Sequence, residues 1–192
     1  MRIGTDTDEV VAEYVKGYLK FYNTLKGTNF RYEDMNCYDF WTVLGISKRE
    51  AFGIEAEFFA SPTFDDLGLV EGASRGVRAL PIDDELFILT ARPVWIEDKT
   101  RRFYERRFPE IPVSLHFSGD VYKEQGKTKG ELCKELELDL FIDDSANALR
   151  GCCGNRTRLL LFDRQWNERE EVAGAERTFG WGHVLEKLGV TG

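Results

Sequence analysis

The sequence predicts an α/β protein, a Rossmann-like three-layer core built on a parallel sheet and carrying an inserted small helical cap. Three observations predict this. Short apolar runs such as "ELFILT", "VSLHFSG", "LDLFIDD" and "RTRLLLFD" alternate with stretches of helical spacing, and strands separated by helices argue for a parallel sheet covered on both faces. A segment rich in aromatic residues, 16–67, interrupts the alternation early. Polar and acidic residues follow the apolar runs, at the carboxyl ends where open parallel sheets form their sites. The expected division is a core of residues 1–15 and 68–192 and a helical cap of residues 16–67.

The elements follow in order. Met1 to Thr5 begins apolar and suits a first strand. From Glu9 the spacing becomes helical, with Val11, Tyr14, Tyr18 and Phe21 or Tyr22 on one side. Residues 23–66 read as helices and loops, with Phe30, Tyr38 and Trp41 among the aromatics that could face a ligand rather than fill a core. "SPTFDDLG" is loop-like, and "GASRGVRALP" is a short helix ending at Pro81. "ELFILT" is the second strand. "PVWIEDKTRRFYERRFP" is a helix whose run Lys99 to Arg107 reads as a solvated face. "VSLHFSG" is the third strand, "KGELCKELE" a helix, "LDLFIDD" the fourth strand and "RTRLLLFD" the fifth. The last helix is expected at Gly182 to Leu188.

Composition narrows the function. With 192 residues, 42% of them hydrophobic, the chain can bury a core as one domain with an insert. The net charge of -8 argues against a nucleic-acid polymer as partner. It does not exclude a small anionic substrate, because a local cation can override it. The four cysteines lack zinc-like spacing and only two histidines are present, which suits ordinary thiols in a reducing, cytoplasmic setting. No apolar run approaches ~18 residues, so no membrane span is expected. The chain is expected to be a monomer or homodimer.

The polar groups converge. Asp6 and Asp8 follow strand one, Thr90 and Arg92 strand two, Ser118 and Asp120 strand three, Asp143 and Asp144 strand four, and Asp163 strand five. Lys127 and Lys129 stand where the helix before the fourth strand begins. Clustered carboxylates repel unless a cation lies among them. Oxygen ligands beside a phosphate suit magnesium, while a helix start, a hydroxyl and a lysine suit the phosphate itself. Any one of these features alone is weak: "DDS" also reads as a helix cap, and "TARP" as a strand end before a helix. Trp166 and Asn167 read as packing and loop residues.

In this arrangement "DTDEV", "LTARP", "KTKGELC" and "FIDDS" resemble the haloacid dehalogenase superfamily of aspartate-nucleophile phosphotransferases. A narrower resemblance, through "FFASPTFDDLGLVEGASRGVRAL", "ILTARP", "FIDDSANA" and "LLLFDRQWN", is to the cytosolic type of 5'(3')-deoxyribonucleotidase and its relatives. Glu9 stands where the mammalian-type enzymes carry glycine, and Ala91 where they carry a phosphate-binding serine. The resemblance implies that Asp6 is the nucleophile, Asp8 the general acid and base, and Lys129 (with Lys127 as the alternative) the stabiliser of charge. It implies Thr90, Ala91 and Arg92 at the substrate, Arg92 either orienting it or making a salt bridge. It implies Mg2+ held by Asp6, Asp8 (through its carbonyl) and Asp144, with Asp143 touching the ion directly or through water. The function it implies is a magnesium-dependent phosphomonoesterase on a nucleoside monophosphate or another small phosphorylated metabolite. Its rivals are a phosphatase or mutase on a sugar phosphate, a dehalogenase, against which Asp8 argues, and a catalytically silent binding module.

Overall fold

The computed structural model describes residues 1–119 and 126–190; Asp120 lies outside them. Among the described residues six strands form one parallel sheet in the order β3-β2-β1-β4-β5-β6. They are β1 (Ile3–Thr5), β2 (Leu86–Thr90), β3 (Val113–Phe117), β4 (Leu140–Asp143), β5 (Arg158–Phe162) and β6 (Ala175–Thr178). The helices are α1 (Tyr14–Lys26), α2 (Phe40–Leu44), α3 (Lys48–Ala60), α4 (Pro62–Asp65), α5 (Ala73–Ala79), α6 (Glu97–Arg107), α7 (Lys129–Glu135), α8 (Ala146–Cys152) and α9 (Trp181–Lys187). The Rossmann-like class is therefore observed, and α1 to α4 form the helical cap region between β1 and α5.

The sheet is two-faced because strand side chains alternate. Ile3, Leu86, Ile88, Leu140, Ile142, Leu160 and Phe162 belong to one buried cluster, and Phe87, Leu89, Phe141, Leu159 and Leu161 to the other. That is why the central strands read as unbroken apolar runs. β1 pairs with β2 on one side and β4 on the other, Thr5 standing opposite Ile88 and Ile142. The strand order reverses between β1 and β4, the point at which such sheets open a crevice at their carboxyl ends. Asp6 and Asp143–Asp144 stand on its two sides.

Four expectations are corrected. "SPTFDDLG", read as loop-like, carries the short helix α4, capped by Ser61, whose Oγ accepts the Phe64 N–H at 3.3 Å. The helix expected from Glu9 begins at Tyr14. Residues 7–12 instead form a tight turn, in which Val11 and Ala12 donate their N–H groups to the Thr7 carbonyl. Val10, Val11 and Ala12 are buried there as loop residues, with the Trp181 indole donating to the Val10 carbonyl at 2.8 Å. The sixth strand, Ala175–Thr178, was not foreseen, because "AERT" has no apolar run and lies mostly half-buried beside β5. The run Lys99 to Arg107 is more than a solvated face. Lys99 pairs with Asp65 at 3.0 Å, and Arg106 and Arg107 donate to the carbonyls of Asp65 and Leu67. It ties α6 to the end of the cap region.

Helix α7 approaches α8 closely at Gly130. A Cβ there would lie 2.0 Å from the Gly151 carbonyl oxygen, and backbone cannot swing aside as a side-chain end can. Gly130→Ala is therefore expected to cost ~1–3 kcal/mol or more and to displace the adjacent Lys129. Denaturant unfolding checks this, and an unchanged midpoint would contradict it.

Candidate active site

The site is built where β1 and β4 end. Asp6 extends the parallel pairing by one step, its N–H donating to the Ile142 carbonyl at 2.9 Å. Asp143 ends β4, and its Oδ1 accepts the Ser145 N–H at 2.7 Å. Ser145 itself caps α8 through its Oγ. Lys129 enters from the first position of α7, which is held by a reciprocal capping box between Thr128 and Glu131. Its Nζ lies 2.9 Å from Asp6 Oδ1 and 2.8 Å from Asp143 Oδ2, and all three side chains are buried. Lys127 instead pairs with Glu135 on the surface.

Asp144 is oriented by two residues that sequence reasoning assigned to packing. The Trp166 indole donates to Asp144 Oδ2 at 2.7 Å, and Asn167 Nδ2 to the Asp144 carbonyl at 2.7 Å. Both lie just past an apolar strand, but neither side chain is an acid, a base or a nucleophile, and nothing in the sequence links them to Asp144. Asp163, flagged at the same strand end, turns to Arg177 at 2.6 Å.

Asp6, Asp143 and Asp144 each offer one carboxylate oxygen, and those atoms lie within 4.8 Å of one another. Asp8 is not in that group. Its carboxylate takes a two-pronged bond from Arg92, at 2.6 Å from one guanidinium nitrogen and 3.0 Å from Nε. Arg92 is held over the rings of Phe64 and Phe103 and bonded to Thr100 Oγ1 at 3.3 Å. Of the two roles left open for Arg92, the salt bridge is therefore present. Thr90 lies fully buried beneath, its Oγ1 accepting the Arg92 N–H at 3.2 Å, and the Ser118 N–H bonds the Thr90 carbonyl.

Asp6, Asp8, Ala91, Arg92 and Asp144 line a cavity of about 400 Å³. The cap supplies Tyr14, Tyr18, Tyr38, Trp41, Phe52 and Phe59 to its walls. Of the three cap aromatics singled out in the sequence, Tyr38 and Trp41 reach the cavity. Phe30 packs on Tyr22 instead, with ring centres 6.0 Å apart.

The electrostatics are unbalanced. Burial pushes the Asp6 carboxyl up to about 7, helped by Asp143 and Asp8 and opposed by Lys129. Burial first, then Asp143 and Asp6, hold Asp144 well above the usual carboxylate range. Burial works against the Lys129 charge, yet Asp143 and Asp6 outweigh it and keep the ammonium protonated. Among the described residues three buried carboxylates share the Lys129 ammonium, and clustered oxygen donors fit a hard divalent cation. The buried triad is able to hold a metal ion.

No protein-family model matches the chain. A "putative nucleotidase" of Oceanobacillus iheyensis is 27% identical over 125 residues, 64% of this chain, and the chain spans 63% of that relative's length. Among solved structures, a haloacid dehalogenase-like protein of unknown function from Agrobacterium tumefaciens superposes with a TM-score of 0.67 at 15% identity, over 97% of this chain and 96% of that one. A "putative HAD-hydrolase" of Bacillus subtilis, bound to magnesium, superposes with a TM-score of 0.63 at 13% identity over 98% of each chain. These likenesses show a haloacid dehalogenase-like fold.

The raised Asp6 carboxyl gives a signed expectation. Without metal, the folded form keeps a proton that the unfolded chain has already released. Stability is therefore lost as pH rises from the ordinary carboxylate range through about 7. A divalent cation held by the triad must displace that proton, so it should raise the unfolding midpoint above about pH 7, with the gain shrinking below it. Thermal unfolding with and without magnesium across pH checks this. A gain that is the same in mild acid and mild alkali would contradict it.

Proposed function

We propose that the protein is a magnesium-dependent phosphomonoesterase. It forms an aspartyl-phosphate on Asp6 and acts on a nucleoside monophosphate or a related small phosphorylated metabolite. The observation that carries the reading is the buried Lys129 ammonium set between Asp6 and Asp143, with Asp6 and Asp144 lining the cavity under the cap.

Asp6, Asp144 and Asp143 would hold the ion, with the Asp8 carbonyl assigned by resemblance. When bound, the ion supplies Lewis-acid neutralisation of the phosphoryl oxygens and of the Asp6 charge. The rest falls to the chain. Asp6 attacks phosphorus, so that a carboxylate–phosphorus bond forms as the bond to the leaving oxygen breaks. Lys129 offsets the negative charge that gathers between nucleophile and phosphoryl group. Asp8 gives a proton to the leaving oxygen, then takes one from the water that attacks phosphorus and frees Asp6. The pairing with Arg92 represents the carboxylate form that serves the second half. In the first half one Asp8 oxygen leaves Arg92 to carry the proton. Thr90 supports the turn that presents Ala91 and Arg92 to the phosphate side of the cavity.

The nucleotide reading is supported by the relative described as a nucleotidase and by the flat aromatic walls, which suit a planar ring. A sugar phosphate is the second reading, favoured by Asp39, Lys48 and Glu55 on the same walls. Phosphate release from nucleoside monophosphates and sugar phosphates, with and without magnesium, separates them. Failure of every phosphomonoester to turn over with magnesium present would overturn both. Asp8→Asn should leave substrate binding in place and lower turnover by ~10²–10⁴-fold. Undiminished turnover would remove Asp8 from the proton-transfer role.

A further inference from the structure

Glu9, directly after Asp8, does two costly things. Its backbone adopts a φ of +60°, a left-handed conformation that favours glycine. Its carboxylate is also buried, with only 5% of the residue exposed. Both costs are offset from outside the loop. Glu9 Oε1 accepts the Val15 N–H at 2.7 Å, in the first turn of α1, and Oε2 accepts the Tyr32 hydroxyl at 2.9 Å. Both donors belong to the cap region. From the core, Arg164 donates to the Glu9 carbonyl from Nε at 2.9 Å and from a terminal nitrogen, and its Nε lies 3.6 Å from Glu9 Oε2.

The segment that supplies Arg164 reaches further. The next residue, Gln165, donates its side-chain amide to the carbonyls of Tyr32 and Met35, the latter at 2.8 Å. Trp166 and Asn167 hold Asp144. Four consecutive residues after β5 thus grip the loop behind Asp8, the cap and a carboxylate of the site. Glycine would adopt the left-handed conformation without strain. A glutamate adds a side chain whose bonds run to the cap.

We infer that Glu9 is a positioning residue that couples the seating of the cap, through Tyr32 and Val15, to the backbone turn that aims Asp8 into the cavity. The inference rests on the reading of Asp6 and Asp8 as the reacting pair only for its effect on turnover. The coupling itself is a property of the fold. When the cap is seated, Glu9 is satisfied and the turn is held. When the Tyr32 hydroxyl is absent, a buried carboxylate loses a donor and the turn loosens.

The test compares Tyr32→Phe, Glu9→Gly and the double variant with the wild-type chain. Tyr32→Phe removes one oxygen from a half-buried ring and leaves the fold intact. Hydrogen exchange is expected to quicken about tenfold over residues 9–15 in Tyr32→Phe, the scale of one lost hydrogen bond. It should quicken reciprocally over residues 30–36 in Glu9→Gly. With magnesium and phosphomonoester, kcat should fall about tenfold in each single variant while KM stays within about twofold, and the double variant should be no worse than Glu9→Gly. Wild-type exchange over residues 9–15 in Tyr32→Phe, or losses that add in the double variant, would overturn the coupling. If the wild-type chain releases no phosphate, the phosphomonoesterase reading fails and the exchange experiment alone decides the coupling.

Discussion

One contact organises the site: the buried ammonium of Lys129 between Asp6 and Asp143. Three carboxylates have been drawn out of water within reach of one another, and among the described residues Lys129 is the lysine that answers them. Full ionisation of the cluster would leave surplus negative charge in a place where charge is expensive. The raised Asp6 and Asp144 carboxyls are the direct consequence. Such a site is poised to take up protons or a divalent cation. A structure that needed only stability would replace the cluster with apolar side chains, so the imbalance itself supports a chemical role.

The placement of that contact depends on the topology. β1 and β4 are neighbours at the point where strand order reverses, so their ends open side by side. Gly130 lets α7 settle against α8 and brings Lys129 down to the same edge. Asp8 is set apart from this group by Arg92, itself held between aromatic rings. The two aspartates of one short loop thereby acquire different surroundings. One lies among carboxylates beside an ammonium, and the other lies on a guanidinium at the cavity wall. The proposed division of nucleophilic and proton-transfer roles requires such a difference in environment.

Much of this was legible in the sequence, for reasons specific to each residue. β2 and β4 are buried on both faces, so they read as apolar runs and their final polar residues could be located. Asp6, Lys129, Asp143 and Asp144 are chemically conspicuous at those ends. β6 was hidden because a half-buried edge strand needs no apolar run. The start of α1 was misplaced because Val10, Val11 and Ala12 are buried in a turn, and buried loop residues mimic helical spacing. The contributions of Trp166 and Asn167 could not be read, since their effect runs through Asp144 and depends on a contact across 22 or 23 positions. Phe30 and Tyr38 look alike as letters, yet only the second lines the cavity.

In the proposed reaction Asp6 carries the phosphoryl group. The most direct measurement is to mix the Asp8→Asn protein with magnesium and an aryl phosphate, whose leaving oxygen needs no proton from Asp8, quench in acid, and reduce with borohydride. Mass spectrometry then reads the peptide containing residue 6. An acyl-phosphate on Asp6 is reduced to homoserine, so homoserine at that position, dependent on substrate, is the predicted result. Wild-type phosphate release with residue 6 recovered only as aspartate after the same trapping of the variant, or with the reduced residue elsewhere in the chain, would contradict the account.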